Sequence, residues 1–138
     1  MIIGKPEINY YGDQARVSSM VDYAGRSETL WFSVDKAYGD FLTTYSDGYL
    51  CGLLMIAMYL GKDIVVDGRL SERLLYSIQN QLQVLLTIVF PSLHKIKVLA
   101  DNVGENNREA SGVAAGFSAG IDSFSALNDH YLDKKPKG

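Results

Sequence analysis

Between residues 15 and 34 the chain alternates apolar and polar residues at period two, and this constrains the fold more than any other stretch. Val17, Val21 and Tyr23 fall on one side of an extended chain, with Arg16, Ser18 and Asp22 opposite or flanking. Ala24-Gly25-Arg26-Ser27 supplies a turn. Leu30, Phe32 and Val34 then alternate with Trp31 and Ser33. Two such runs around a glycine-containing turn are a β-hairpin, and residues 7–11 are expected to add a strand to it.

After Val34 the period changes. Residues 35–43 are expected to form a short helix packing Tyr38, Phe41 and Leu42. Asp47 is the expected N-cap of a helix over residues 49–60, which is apolar nearly all round and so expected to be buried on most sides. Gly61 ends it. Residues 63–67 read as a strand followed by an Asp67-Gly68 turn. Ser71 is placed to cap the next helix, with Glu72 in its first turn. Leu74, Ile78, Leu82, Leu85 and Val89 recur at helical spacing, with Gln79, Asn80, Gln81 and Gln83 on the polar side, and Pro91 stops the pattern. Residues 95–100 form a further strand, with Ile96 and Val98 on one face. Residues 101–109 hold a single apolar residue, Val103, and read as a loop or linker. A small-residue strand over 112–117 and a helix over 121–132, with Phe124, Leu127 and Leu132 on one side, complete the reading.

The expected fold class is therefore α+β. N-terminal antiparallel strands pack with helices, and the chain ends in the first strand-loop-helix of an α/β domain. Residues 1–100 form an accessory domain, 101–111 a linker, and 112–138 the start of a nucleotide-binding unit. The strands near Ile64 and Ile96 are candidates to share a sheet with residues 113–117.

Composition narrows the function. A chain of 138 residues with 47% hydrophobic residues can bury a core. A net charge of -3 and a pI near 5.3 argue against a broad nucleic-acid surface, so no DNA partner is expected. Cys51 is the single cysteine, which rules out an intramolecular disulfide and a cysteine-based zinc cluster; a reducing, cytoplasmic setting is the simplest. The apolar run 49–60 falls short of the roughly 20 residues that a bilayer-spanning helix takes. Pro6 and Glu7 interrupt the N-terminus before any signal-peptide core.

The stretch that carries chemistry is Gly116-Phe117-Ser118-Ala119-Gly120-Ile121-Asp122-Ser123. A small-residue loop between a strand and a helix lets a phosphate approach backbone N–H groups that have no partner inside the helix. Ser118 and Ser123 add hydroxyl donors.

Ser118-Ala119-Gly120-Ile121-Asp122-Ser123 resembles the PP-loop motif Ser-Gly-Gly-x-Asp-Ser of the ATP pyrophosphatase family. That family includes the synthetase domains of GMP, NAD and asparagine synthetases and the tRNA-thiolating and deazaguanine-making enzymes. The resemblance covers about residues 113–132. It implies a loop after the first strand of a parallel sheet that grips the pyrophosphate of ATP. It also implies an enzyme that adenylates a carbonyl or carboxyl oxygen and lets a nitrogen or sulfur nucleophile displace AMP. Carried over by position, Ser118, Gly120 and Ser123 would contact phosphate, and Asp122 would organise the loop or help hold magnesium. Ala119 departs from the motif: its Cβ stands where the family has a glycine, which crowds the phosphates or opposes a positive φ. The family's adenine pocket follows the first helix, so this chain is expected to be the N-terminal part of an adenylating enzyme, inactive alone. The alternative is a non-catalytic interaction or substrate-recognition domain with a relict loop. Self-association is expected in either case, because an incomplete α/β unit leaves an open strand edge.

Other candidates have plainer readings. His94 and His130 lie at no ligand spacing, and His94 is expected to be a solvated loop residue. Cys51 reads as a small core residue. Asp35, Asp40 and Asp47 suit capping, and Asp63 and Asp67 suit turns. Tyr10, Tyr11, Tyr23, Tyr38, Tyr45 and Tyr49 are read mainly as core aromatics.

Overall fold

A computed structural model of the chain describes residues 1–105 and 116–129. The chain divides into two compact units, Met1–Asn106 and Asn107–Gly138. The first unit is α+β, a mixed sheet with packed helices, as the residue pattern implies.

The alternating residues form the expected hairpin: β2 (Glu7–Tyr11), β3 (Gln14–Tyr23) and β4 (Arg26–Asp35) are antiparallel. The β3–β4 turn is tighter than the four residues expected. Ala24 (φ 51°) and Gly25 (φ 76°) alone make it, both in the left-handed region that a two-residue hairpin needs. Along β3, Ala15, Val17 and Ser19 are buried while Met20 is exposed, so the odd positions face the core.

The strand with no signature in the pattern is β1 (Ile2–Ile3), and it links the two halves of the sheet. One edge of β3 pairs first with β2 and then with β1, antiparallel, through Ile2↔Asp22 and Ile3↔Val21. On its other side β1 runs parallel to β5 (Ile64–Val66), which runs parallel to β7 (Val98–Ala100). Two residues are too few to show alternation, which is why the sequence hides this strand. Residues 95–97, expected in a strand, precede β7; Ile96 is nonetheless buried. The expected loop after Ala100 also contains a strand, β8 (Val103–Gly104), which pairs in parallel with β6 (Leu70–Ser71). The proposed sheet with residues 113–117 falls largely outside the described residues, and Gly116 and Phe117 are not in a strand.

Residues 36–41 form a 3-10 helix, Lys36–Phe41, begun by the Asp35 side chain accepting from the Ala37 N–H. Tyr38 and Phe41 are 59% and 73% exposed, contrary to the packing role expected of them. Helix α1 (Asp47–Leu60) starts at the residue expected to cap it. Ser46 is the N-cap, and the Asp47 carboxylate instead accepts the Ser71 backbone N–H at 2.9 Å. Gly61 ends it at φ 61°. Only one stripe of α1 is buried, Tyr49, Leu50, Leu54, Ala57 and Met58; Met55, Ile56 and Tyr59 are 46%, 52% and 66% exposed. A single layer lies beneath the helix, so an all-round apolar sequence is buried on one side alone.

The second long helix shows why its pattern misleads. It runs as α2 (Glu72–Ser77), a π-helical turn (Ile78–Leu82) and α3 (Gln83–Val89). The π turn inserts extra residues and rotates the helix beyond it. Ile78 is fully buried, but Leu85 and Val89 are 60% and 64% exposed, and Gln83, expected on the polar side, is 3% exposed. Gln79, also expected there, donates to the Val98 carbonyl at 3.1 Å. Ser71 precedes α2 without a side-chain cap bond.

The core lies on one face of the sheet. Ile3, Val17, Ile64, Val66 and Val98 cluster with α1 and with Ile78, Leu93 and Ile96. Of the six tyrosines read as core, Tyr49 alone is buried; Tyr10, Tyr11 and Tyr38 are more than half exposed. Cys51 is exposed rather than a core residue, because it falls off the buried stripe of α1. His94 is exposed as expected. No helix among the described residues is long and apolar enough to cross a membrane. In the second unit, α4 (Ile121–Leu127) is the described helix, and the part of the expected helix from residue 130 on lies outside the described residues.

Candidate functional site

The loop of the second unit is built by its own residues. Gly120, extended at φ -83° and ψ 169°, is the N-cap of α4, and its carbonyl accepts the Phe124 N–H at 3.2 Å. Phe117 before the loop and Phe124 after it meet edge to face, ring centroids 5.2 Å apart. That contact draws the two ends of the loop together.

Inside this brace the two serines named from the sequence converge. The Ser118 N–H donates to Ser123 Oγ at 3.1 Å, and the two hydroxyl oxygens lie 2.9 Å apart. Ala119 sits at φ 58°, in the left-handed region. A non-glycine residue there carries a cost of about 1–2 kcal/mol, which glycine avoids. The residue that departs from the motif thus stands where the backbone asks for the motif's glycine. A Cβ on Gly120 would lie 3.4 Å from Ser118 Oγ, ordinary contact, so Gly120 is not demanded by space. Asp122 is exposed in the first turn of α4. Among the described residues no group of three His, Cys, Asp or Glu side chains is arranged to hold a metal. Magnesium at Asp122 would therefore need its other oxygens from phosphate and water, as that ion commonly takes them.

The first unit holds a cleft that local sequence patterns do not announce. It has a volume of about 720 Å³ and opens at the carboxyl ends of β1, β5 and β7, the end where open α/β sheets bind ligands. Lys5, Glu7, Asp67, Asp101 and Asn102 line it, with Val65 and Leu99 behind. Asp67 and Asp101 are 34 positions apart, and each reads locally as turn or loop chemistry. The available signal was the repeat of three apolar strand residues followed by aspartate, Ile64-Val65-Val66-Asp67 and Val98-Leu99-Ala100-Asp101.

A smaller apolar groove of about 380 Å³ lies between the end of α1 and the segment after α3, lined by Met55, Ile56, Tyr59, Phe90 and Leu93. Cys51, off this groove, has its thiol pushed up by partial desolvation and then by the Asp47 carboxylate, which makes it a poor nucleophile.

The chain matches no family model, no curated protein and no solved structure.

Proposed function

We propose that the loop Gly116–Ser123 is a phosphate-binding loop of the PP-loop kind, and that the protein belongs to an ATP-dependent adenylating enzyme. The observation that carries this reading is the positive φ of Ala119. Ala24 in the β3–β4 turn is left-handed as well, but Ala119 stands directly before a helix start, where a left-handed residue turns successive backbone N–H groups towards one anion-sized concavity. The Ser118–Ser123 pair supports it further. In the free loop Ser123 Oγ takes the Ser118 N–H, and a phosphate oxygen would replace it there, receiving that N–H and both hydroxyls.

The bound nucleotide would supply an electrophilic α-phosphorus and a pyrophosphate leaving group. A carbonyl or carboxyl oxygen of the second substrate attacks, and a nitrogen or sulfur nucleophile then displaces AMP. Ser118, Gly120 and Ser123 hold the pyrophosphate, and Asp122 orients the loop or meets magnesium. Ala119 weakens the grip relative to glycine.

The test is a titration of the protein with ATP and magnesium, followed by the same titration of Ala119→Gly and Ser123→Ala. Binding that Ala119→Gly strengthens and Ser123→Ala weakens supports the reading. Absence of binding of magnesium pyrophosphate as well as ATP, in both the parent chain and Ala119→Gly, overturns it, because the loop and not the adenine pocket is what these residues supply.

A second reading, an interaction domain with a relict loop, draws on the first unit. Leu85, Ile88, Val89 and Phe90 on and after α3 are 46–71% exposed, beside the apolar groove of α1. A monomer seldom leaves so many large apolar side chains in water. Self-association through this surface is the corresponding proposal, and sedimentation of Ile88→Lys against the parent chain tests it.

A further inference from the structure

Strands of all-parallel sheets are buried on both faces and read as near-continuous apolar runs, and Ile64-Val65-Val66 and Val98-Leu99-Ala100 read that way in the parallel part of this mixed sheet. In the first unit β1, β5 and β7 are parallel, yet the core residues Ile3, Ile64, Val66 and Val98 all belong to one face. The alternate residues form the other face. Ile2, Val65 and Leu99 are direct cross-strand partners, Ile2↔Val65 and Val65↔Leu99, and they are 40%, 38% and 52% exposed. Met20 of β3 and Trp31 of β4 extend the same face at 48% and 49%. An apolar row therefore crosses β1, β5 and β7; on β3 it meets Asp22, the partner of Ile2, and the Arg16 guanidinium lies 4.1 Å over the Trp31 ring.

The row has a charged end. Asp67 and Asp101 stand two residues beyond Val65 and Leu99, so by alternation they share the open face, and they enter the cleft with Glu7. The Asp67 N–H donates to the Ile3 carbonyl at 2.9 Å, but neither carboxylate has a hydrogen bond or ion pair among the described residues, where Lys5 is the one cation lining the cleft.

We infer that this open face is a docking surface for a partner's amphipathic helix, whose apolar stripe covers Ile2, Val65 and Leu99 and whose basic end reaches Asp67 and Asp101. The helix follows from what covers parallel strands. The basic end follows from charge complementarity with Glu7, Asp67 and Asp101. The surface is independent of the nucleotide loop and stands whether or not ATP binds.

The experiment uses the full chain and a fluorescein-labelled, leucine-striped helical peptide with lysines at one end. Its counterpart carries glutamates in place of the lysines. Anisotropy titration is expected to give at least tenfold tighter binding of the lysine peptide. Leu99→Lys should remove that binding, and the double variant Asp67→Lys/Asp101→Lys should reverse the preference. These positions are exposed, so the variants are expected to fold, and circular dichroism checks it. Equal binding of the two peptides, or binding lost on Ile56→Lys in the α1 groove but kept in Leu99→Lys, overturns the inference. A concentration-dependent dimer of the parent chain that Leu99→Lys makes monomeric also overturns it, in favour of a second copy.

Discussion

Gln83 clasps the backbone of Ile96 with both ends of its amide: Nε2 donates to the Ile96 carbonyl at 3.2 Å and Oε1 accepts the Ile96 N–H at 2.9 Å. The side chain is 3% exposed, so water cannot replace either bond. This one contact ties the helix after its π turn to the segment that leads into β7. Gln83→Leu is expected to leave two backbone groups unpaired, at about 1–3 kcal/mol for each. Urea unfolding should show a loss of about 2–4 kcal/mol, far more than Gln81→Leu on the exposed side.

Tyr49 is 3% exposed and its hydroxyl has no hydrogen-bond partner. Burial pushes its phenol up from 10.0. The folded value lies above the unfolded one, so the stability it contributes is present below pH 10 and lost as pH rises through the folded value. Phe32 meets the ring edge to face at 5.5 Å, and that contact does not need the hydroxyl. Tyr49→Phe is expected to stabilise the protein by about 1 kcal/mol at neutral pH. It should also move alkaline unfolding, followed by circular dichroism, to higher pH.

Gly68 packs against Ser46 Oγ and Pro6 Cδ, with no room for a Cβ. Gly68→Ala is expected to cost about 1–3 kcal/mol through overpacking. Ser46 is fully buried and its hydroxyl is also unpartnered, so Ser46→Ala alone should be neutral or mildly stabilising. The double variant Ser46→Gly with Gly68→Ala should recover part of the loss in a thermal melt, because the space is shared.

At the loop, Ala119→Gly removes a left-handed L-residue but loosens the unfolded chain, for a net gain of about 1 kcal/mol. If the loop conformation is the binding conformation, ATP–magnesium affinity measured by calorimetry should rise about fivefold, which is that energy at room temperature. Ala119→Val is expected to act in the opposite direction, since a β-branched residue fits positive φ worst.

Much of the fold was legible where a period persists. Ten-residue strands write their alternation plainly, and a fourteen-residue helix shows itself by an unbroken apolar run between Asp47 and Gly61, so the α+β class follows from them. Short strands such as Ile2–Ile3 and Val103–Gly104 do not, because partners far along the chain define them. The burial of α1 and the tyrosines was overestimated for one reason: apolar character states what a residue would bury, while the number of layers states how much can be buried. The candidate loop was legible as a string of small residues and hydroxyls. The cleft residues Asp67 and Asp101 were not, since only strand pairing brings them side by side.

By itself, then, the sequence determined the hairpin, the helices and the small-residue, hydroxyl-bearing loop from Ser118 to Ser123, because these depend on neighbours a few positions away. Tertiary structure decided three other matters. It put Ile2 and Ile3 between β3 and β5, turned Gln83 inward through a π turn, and left the Ile2–Val65–Leu99 face uncovered. Each depends on which distant segment supplies a hydrogen-bond partner or a covering layer, and no local periodicity carries that information.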